Sequence, residues 1–136
     1  MSNLHEENCT VLVIEDEADT ADLIASRLFE AGFSVIHASD GRQAVALIEN
    51  IAPPRAVLLD LIIPYVSGFD LLRTIRNKPG WEHVPVMVVS ADSYAEDIDR
   101  VLSEGANDYI VKSWGFMTLY LRLERLLGQS TEKMAA

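Results

Sequence analysis

Charged and polar side chains stand at the ends of four apolar runs, and their types suit phosphoryl chemistry. Glu15 and Asp16 follow the first run, Asp60 follows the second, Ser90 follows the third and Lys112 follows the fourth. If the runs are parallel strands, three carboxylates, a hydroxyl and an ammonium gather at one edge of a sheet. Neighbouring carboxylates repel one another unless they are protonated or hold a cation, and magnesium prefers a few carboxylates with waters and phosphate oxygens. The pattern therefore predicts a site for a divalent cation and a phosphoryl group.

Helix signals separate these runs, so strands and helices are expected to alternate along the chain. Strand starts are predicted near residues 10, 33, 55, 84 and 107, which leaves room for a helix between successive strands. The predicted helices cover residues 19–31, 40–51, 67–78, 93–105 and 114–127, with capping boxes at 40–43 and 93–96. This alternation predicts an α/β fold, a doubly wound parallel sheet covered by helices on both faces.

Composition limits the classes of protein that the chain can belong to. A length of 136 residues fits one domain, and a net charge of -10 speaks against direct nucleic-acid binding. The single cysteine, Cys9, fits a reducing compartment, and no signal peptide or membrane-spanning run is visible. We therefore predict a cytoplasmic domain over residues 9–128, without membrane contact, between a flexible N-terminus (1–8) and a flexible tail (129–136).

Taken together, these motifs resemble the receiver domain of two-component response regulators. The matching segments are residues 13–17, 58–64 with Gly68, 88–91 and 105–112. The order and spacing of these motifs make the resemblance specific, and it covers about residues 9–128. It implies a flavodoxin-like (βα)5 fold with strand order 2-1-3-4-5, in which the ends of the first and third strands lie side by side.

The resemblance also implies roles for the residues at the strand ends. Asp60 would be the phosphoacceptor, and Mg2+ would be held by Glu15, Asp16, Asp60 and the backbone carbonyl of Ile62. Lys112 would place a fixed positive charge against the phosphoryl oxygens. The residue types agree with this chemistry, because a carboxylate can attack a phosphoryl group when a metal screens the charge between them.

Ser90 and Tyr109 match the switch hydroxyl and the switch aromatic residue of the family. Movement of Ser90 toward a phosphoryl group would leave space for the Tyr109 ring to turn inward. Such a switch is a population shift, in which contacts made in only one arrangement favour that arrangement. A strand-end turn serine and a half-buried packing tyrosine are the structural alternatives.

The sequence departs from the family pattern directly after Lys112. The family usually has a proline there with a cis peptide bond, whereas this chain has Ser113. A cis bond before a residue other than proline costs about 3 kcal/mol. Either the bond is trans and the loop is rebuilt, or packing offsets the strain. Gly115 suggests a delayed start of the last helix.

The last predicted helix carries more large apolar residues than one buried face requires. Together with Tyr109 and Trp114, its remaining apolar residues predict a surface for a downstream protein or a dimer. Arg122 matches an arginine that one receiver subfamily uses in dimer salt bridges, but Ile98 and Asn107 do not match its charged partners. A monomer or weak dimer is therefore expected.

The function expected from these features is that of a phosphoaccepting signalling module. It would take a phosphoryl group from a histidine kinase or a histidine phosphotransfer protein onto Asp60, assisting only its own phosphorylation and dephosphorylation rather than acting as an enzyme. A receiver-like docking module that is never phosphorylated and a receiver fragment of a larger regulator are alternatives. A haloacid-dehalogenase-like phosphatase would need a second aspartate where Ile62 stands, and Glu15, Asp16 and Glu17 would repel the phosphate of a flavodoxin-type cofactor.

Overall fold

The computed structural model describes the backbone of residues 9–135 and the side chains of residues 9–128. The predicted flexible N-terminus, residues 1–8, lies outside this range. Strands and helices alternate as predicted. They are β1 (Thr10–Ile14), α1 (Ala18–Glu30), β2 (Ser34–Ala38), α2 (Gly41–Asn50), β3 (Ala56–Leu59), α3 (Gly68–Asn77), β4 (Val86–Ser90), α4 (Ala95–Ser103), β5 (Asp108–Val111) and α5 (Phe116–Ala135).

The strands form one parallel sheet in the order β2-β1-β3-β4-β5, which confirms the predicted topology. Ile14 of β1 lies beside Leu59 of β3, and Leu59 lies beside Val88 of β4. Because parallel strands in register end at the same edge, the residues that follow β1 and β3 become neighbours. The sheet thereby brings together segments that are about 45 residues apart in the sequence.

Helices cover both faces of the sheet and bury every residue of the central strands except the half-buried Thr10 at the start of β1. Leu12 and Ile14 point into a core shared with α2, α3 and α4. Val11 and Val13 point into a second core shared with α1 and α5. Successive side chains of a strand point to opposite faces, so two buried faces require apolar residues at every position. This arrangement explains the unbroken apolar runs of the sequence.

Two of the predicted helix starts are confirmed by the hydrogen bonds at their caps. The Gln43 backbone N–H donates to Asp40 Oδ1 at 2.9 Å, and the Asp70 N–H donates to Ser67 Oγ at 3.2 Å. The capping box predicted at residues 93–96 is wrong. Helix α4 begins after Tyr94, whose N–H donates to Asp92 Oδ1 at 2.9 Å. Asp92, two residues before the N-cap Tyr94, provides the local acceptor instead.

Helix α5 differs from its predicted span of 114–127 at both ends. Lys112–Trp114 form a short 3-10 turn, and Gly115 leaves it with a φ of 92°, so the helix starts at Phe116. Gly128 does not end the helix, whose backbone continues to Ala135. A helical glycine costs only about 1 kcal/mol relative to alanine, which an otherwise helical sequence can overcome. The predicted flexibility of residues 129–136 stays a prediction.

The side chain of Arg76, on α3, connects the segments that precede β4 and β5. Its guanidinium donates to the carbonyl oxygens of Val84 at 2.8 Å and Gly105 at 2.7 Å, and to Asn107 Oδ1 at 3.0 Å. The same amide oxygen accepts from the Val86 N–H at 2.8 Å. These bonds fix the starts of two strands whose other ends carry predicted site residues.

Within the part of the chain that the structure describes, no helix combines the length and the apolar character needed to span a bilayer.

Candidate functional site

The three predicted metal-binding carboxylates meet at the carboxyl edge of the sheet. Glu15 and Asp16 follow β1, and Asp60 follows the adjacent strand β3. One oxygen from each lies within 4.8 Å of the other two. Glu15 and Asp60 are buried, whereas Asp16 is exposed and leaves the cluster open to solvent on its side.

Each buried carboxylate accepts a hydrogen bond from the backbone two residues further along. The Ile62 N–H donates to Asp60 Oδ1 at 3.0 Å, and the Glu17 N–H donates to Glu15 Oε2 at 3.1 Å. The turns after β1 and β3 therefore orient the two carboxylates as well as carrying them. The predicted contact of the Ile62 carbonyl oxygen with a metal stays a prediction.

Lys112 reaches the same cluster from the end of β5. Its Nζ donates to Asp60 Oδ2 at 2.8 Å, to Glu15 Oε2 at 3.1 Å and to Glu17 Oε1 at 2.8 Å. Every peptide bond in residues 9–135 is trans, so the bond before Ser113 is trans and the loop is rebuilt as a 3-10 turn. The lysine is delivered to the acids without the cis bond that is usual in the family.

Burial and hydrogen bonding shift the pKa values of Glu15 and Lys112. Burial raises the pKa of Glu15 to about 6, against the opposing hydrogen bonds from the Glu17 N–H and from Lys112. Burial also acts to lower the pKa of Lys112, but hydrogen bonds to Asp60, Glu17 and Glu15 outweigh it and hold that pKa above its ordinary value. Lys112 therefore stays charged at neutral pH, whereas the surroundings of Glu15 disfavour its charged form.

The donor set fits a hard divalent cation. All three candidate side chains offer oxygen, two of them are buried, and the exposed side leaves room for water or phosphate oxygens. Three carboxylates contact the Lys112 ammonium, and Asp16 adds a fourth acid to the cluster, so its formal charge remains negative and favours a cation. A bound ion would share oxygens of Glu15 and Asp60 with Lys112.

The two predicted switch residues lie on the neighbouring strands β4 and β5, Ser90 as the last residue of β4 and Tyr109 as the second residue of β5. Ser90 is fully buried, and its Oγ accepts from the Asp92 N–H at 3.3 Å. The Tyr109 hydroxyl donates to the carbonyl oxygen of Asp92 at 2.6 Å. Burial, with a smaller effect from the Asp92 carboxylate, raises the pKa of Tyr109 to about 12. Sequence reasoning missed Asp92, which links the two residues through its backbone.

The burial of Tyr109 corrects one part of the predicted partner surface. Tyr109 is only 3% exposed, so it contributes almost nothing to an exposed surface in this arrangement. Trp114 and α5 do present apolar side chains to solvent, and the buried remainder of the helix packs on the sheet. The exposed set is Trp114, Phe116, Met117 and Leu121. Arg122, considered above as a dimer residue, pairs with Asp108 of its own chain at 2.8 Å.

The fold and the acidic edge together define a doubly wound α/β protein with its site at the ends of β1 and β3. The family model described as the response regulator receiver domain matches residues 11–124. This chain therefore belongs to the response regulator receiver family.

Named relatives and solved structures agree with that assignment. The chain is 35% identical over 133 residues to the alkaline phosphatase synthesis transcriptional regulatory protein SphR of Synechococcus elongatus, covering 92% of this chain and 51% of SphR. It is 38% identical over 122 residues to the transcriptional regulatory protein KdpE of Mycobacterium tuberculosis, covering 89% of this chain and 52% of KdpE. The chain thus spans about half the length of these relatives.

Two solved receiver domains share the fold closely. The non-phosphorylated HemR receiver domain from Leptospira biflexa superposes with a TM-score of 0.80 at 28% identity, covering 87% of this chain and 93% of that one. The receiver domain of the sensor histidine kinase PA1611 from Pseudomonas aeruginosa was solved with a magnesium ion in its active site cleft. It superposes with a TM-score of 0.76 at 29% identity, covering 89% of this chain and 98% of that one.

Proposed function

We propose that this chain is a phosphoaccepting receiver that takes a phosphoryl group from a partner's phosphohistidine onto Asp60. One observation carries the proposal. The buried Asp60 carboxylate lies in a cluster with Glu15 and Asp16, and the Lys112 ammonium is 2.8 Å from Asp60 Oδ2. A nucleophilic carboxylate, a charged donor and a metal-binding set are the parts that phosphoryl transfer to an acid requires.

Each residue of the site has a separate role in the proposed phosphoryl transfer. An Asp60 oxygen attacks the phosphorus, the bond from phosphorus to the histidine nitrogen breaks, and the electron pair of that bond stays on the nitrogen. Lys112 donates to the phosphoryl oxygens as the acyl phosphate forms. Glu15, Asp16, Asp60 and the carbonyl oxygen of Ile62 would hold Mg2+, which supplies positive charge between the two anionic reactants. The magnesium ion in the PA1611 receiver supports this metal.

The hydrogen bonds around Asp92 support the proposed switch. Ser90 Oγ would leave its contact with the Asp92 N–H to donate to a phosphoryl oxygen. The Asp92 carbonyl oxygen also accepts the hydrogen bond from the Tyr109 hydroxyl, so a shift of the loop that carries Asp92 would change the contact that orients the tyrosine ring. Phosphorylation would thus favour one of two arrangements of the loop after β4 and alter the adjoining surface that carries Trp114.

The proposed partners follow from the same role. A histidine kinase or histidine phosphotransfer protein donates the phosphoryl group, and a downstream protein or domain responds through the exposed apolar residues of Trp114 and α5. The net charge of -10 argues against direct nucleic-acid contact by this domain. A cytoplasmic location, a monomer or weak dimer, and the lack of turnover on a separate substrate stay predictions.

Phosphorylation by a small donor tests this function directly. Incubation with acetyl phosphate and Mg2+ is expected to add one phosphate by intact mass, and removal of the metal with EDTA is expected to prevent the gain. Asp60→Asn is expected to gain none. Asp99→Asn, which removes an exposed carboxylate on α4, is the matched control and is expected to behave like the wild type. Failure of the wild-type chain to gain phosphate would instead favour the docking module.

A further inference from the structure

We propose that Glu17, to which sequence reasoning assigned no role, is a positioning residue that holds the Lys112 ammonium over Asp60. The inference rests on the proposed phosphoacceptor function and adds a residue to it. The Glu17 carboxylate lies 2.8 Å from Lys112 Nζ, as close as Asp60 does, although its own side chain is 60% exposed. It is the outermost of the three acids bonded to the lysine.

The surroundings of Lys112 show why an outer contact is needed. A groove of about 360 Å³ opens beside the lysine, between Glu17 and Thr20 on one side and Ser113 and Phe116 on the other. Lys112 forms part of the groove wall, and its side chain is 21% exposed. The trans bond and the 3-10 turn place the lysine at the start of a rebuilt loop. An ion pair on the groove side therefore restricts the directions in which the ammonium can swing.

Glu17 is itself held in place by contacts at the start of α1. It is the N-cap residue of that helix, and its Oε1 accepts from Thr20 Oγ1 at 3.4 Å. Its backbone N–H donates to Glu15 Oε2 at 3.1 Å. A carboxylate at a helix N-terminus is also favoured by the helix dipole. Glu17 thus joins the lysine to a fixed element of the fold.

In the phosphorylated site, Glu17 would contribute more to holding the Lys112 ammonium, because the oxygens of Asp60 and Glu15 would have other partners. Asp60 would carry the phosphoryl group, and Glu15 would share its oxygens with a cation. Of the three carboxylates now bonded to Lys112, Glu17 alone stands outside the predicted metal and phosphoryl set. It would remain as the acceptor that keeps the ammonium directed at the phosphoryl oxygens.

Three variants test the inference through the rate of phosphorylation by acetyl phosphate with Mg2+. Glu17→Ala removes the acceptor and is expected to slow phosphorylation about two- to fivefold, the range of a partly exposed ion pair. Glu17→Gln keeps an acceptor oxygen and is expected to restore most of the rate. Asp19→Ala removes a nearby negative charge in the first turn of α1 and is expected to leave the rate unchanged. An equal or faster rate in Glu17→Ala would overturn the inference, because Glu17 would then only compete for the lysine.

A second measurement separates the inference from the proposed function. The ammonium nitrogen of Lys112, assigned by its loss in Lys112→Arg, can be followed by NMR in the unphosphorylated protein. The wild type and Glu17→Gln are expected to show the same hydrogen-bonded ammonium signal. In Glu17→Ala the signal is expected to shift and broaden, because the ammonium keeps its bonds to Asp60 and Glu15 but loses the third acceptor. If the wild type takes up no phosphate, the proposed function fails, yet this signal still decides the inference. An unchanged signal in Glu17→Ala would refute the positioning role.

Discussion

Replacement of Arg76 by methionine should destabilise the whole domain, although the residue lies outside the candidate site. Methionine keeps most of the aliphatic stem but removes every guanidinium hydrogen bond. The two shortest of these, to Gly105 at 2.7 Å and to Val84 at 2.8 Å, are partly buried. Burial also lowers the pKa of Arg76, because its charge is kept partly out of water.

The expected loss can be estimated from those two bonds. A hydrogen bond to a charged group contributes about 1.5–3 kcal/mol, and water can reach the more exposed carbonyls once the arginine is gone. Taking the lower value for the two short bonds predicts a loss of about 3 kcal/mol. For a domain of this length such a loss corresponds to about 10 °C in the midpoint of thermal unfolding.

Urea unfolding followed by circular dichroism measures the effect, with Arg73→Met as the matched control. Arg73 lies on the same helix, its side chain is 51% exposed, and its ion pair with Asp70 spans 3.2 Å. Its loss is expected to cost less than about 1 kcal/mol. Arg76→Lys should recover only part of the stability, because one ammonium cannot reach the separate acceptors of a guanidinium. Equal losses for Arg76→Met and Arg73→Met would refute the reasoning.

Two further predictions concern positions near and far from the site. An added Cβ at Gly68 would lie 2.5 Å from the Leu61 Cα, so Gly68→Ala is expected to destabilise the fold by about 1–3 kcal/mol. A Cβ added at Gly128 meets nothing within 4 Å, so Gly128→Ala is expected to stabilise the fold by about 0.5–1 kcal/mol. Urea unfolding of both variants checks this, and effects of the same sign would contradict it. The pKa of Glu15 in the folded chain is raised to about 6, so between about pH 4.5 and 6 the folded chain binds more protons at this acid than the unfolded chain does. The contribution of Glu15 to the free energy of unfolding therefore falls as pH rises through that window. Without metal, Glu15→Gln is therefore expected to raise the free energy of unfolding by about 1–2 kcal/mol at pH 7.5 and to make stability depend less on pH between pH 5 and 7. A pH profile of stability that matches the wild type would argue against this role of Glu15.

Features that depend on neighbours in sequence were predicted well. Asp60 could be located because an apolar run of the length of a buried strand ends there, and Asp40 and Ser67 could be identified as caps because a cap acts within three residues. The same local reasoning failed at residue 93, where two acceptors compete within a few residues and Asp92 is the one that binds. It also failed at Gly128, because a local preference of about 1 kcal/mol does not decide whether a helix continues.

Some of the candidate site could be predicted only as a group of residues, without their contacts. The sequence indicated that Lys112 belongs with the acids, but its partners Asp60 and Glu15 are 52 and 97 residues away. Their distances depend on strand register, and the third partner, Glu17, depends on where α1 starts. The orientation of Tyr109 likewise depends on a carbonyl 17 residues away, which no local pattern identifies.

The sequence by itself determined the alternation of strands and helices, the edge at which the acids collect and the family, since these follow from periodicity, strand ends and motif order. The tertiary structure decided which oxygen each donor binds, that the peptide bond after Lys112 is trans, and that Arg76 joins β4 to β5. The physical reason is range: periodicity and capping act over a few residues, whereas hydrogen bonds of about 3 Å between distant segments exist only after the sheet has set their positions.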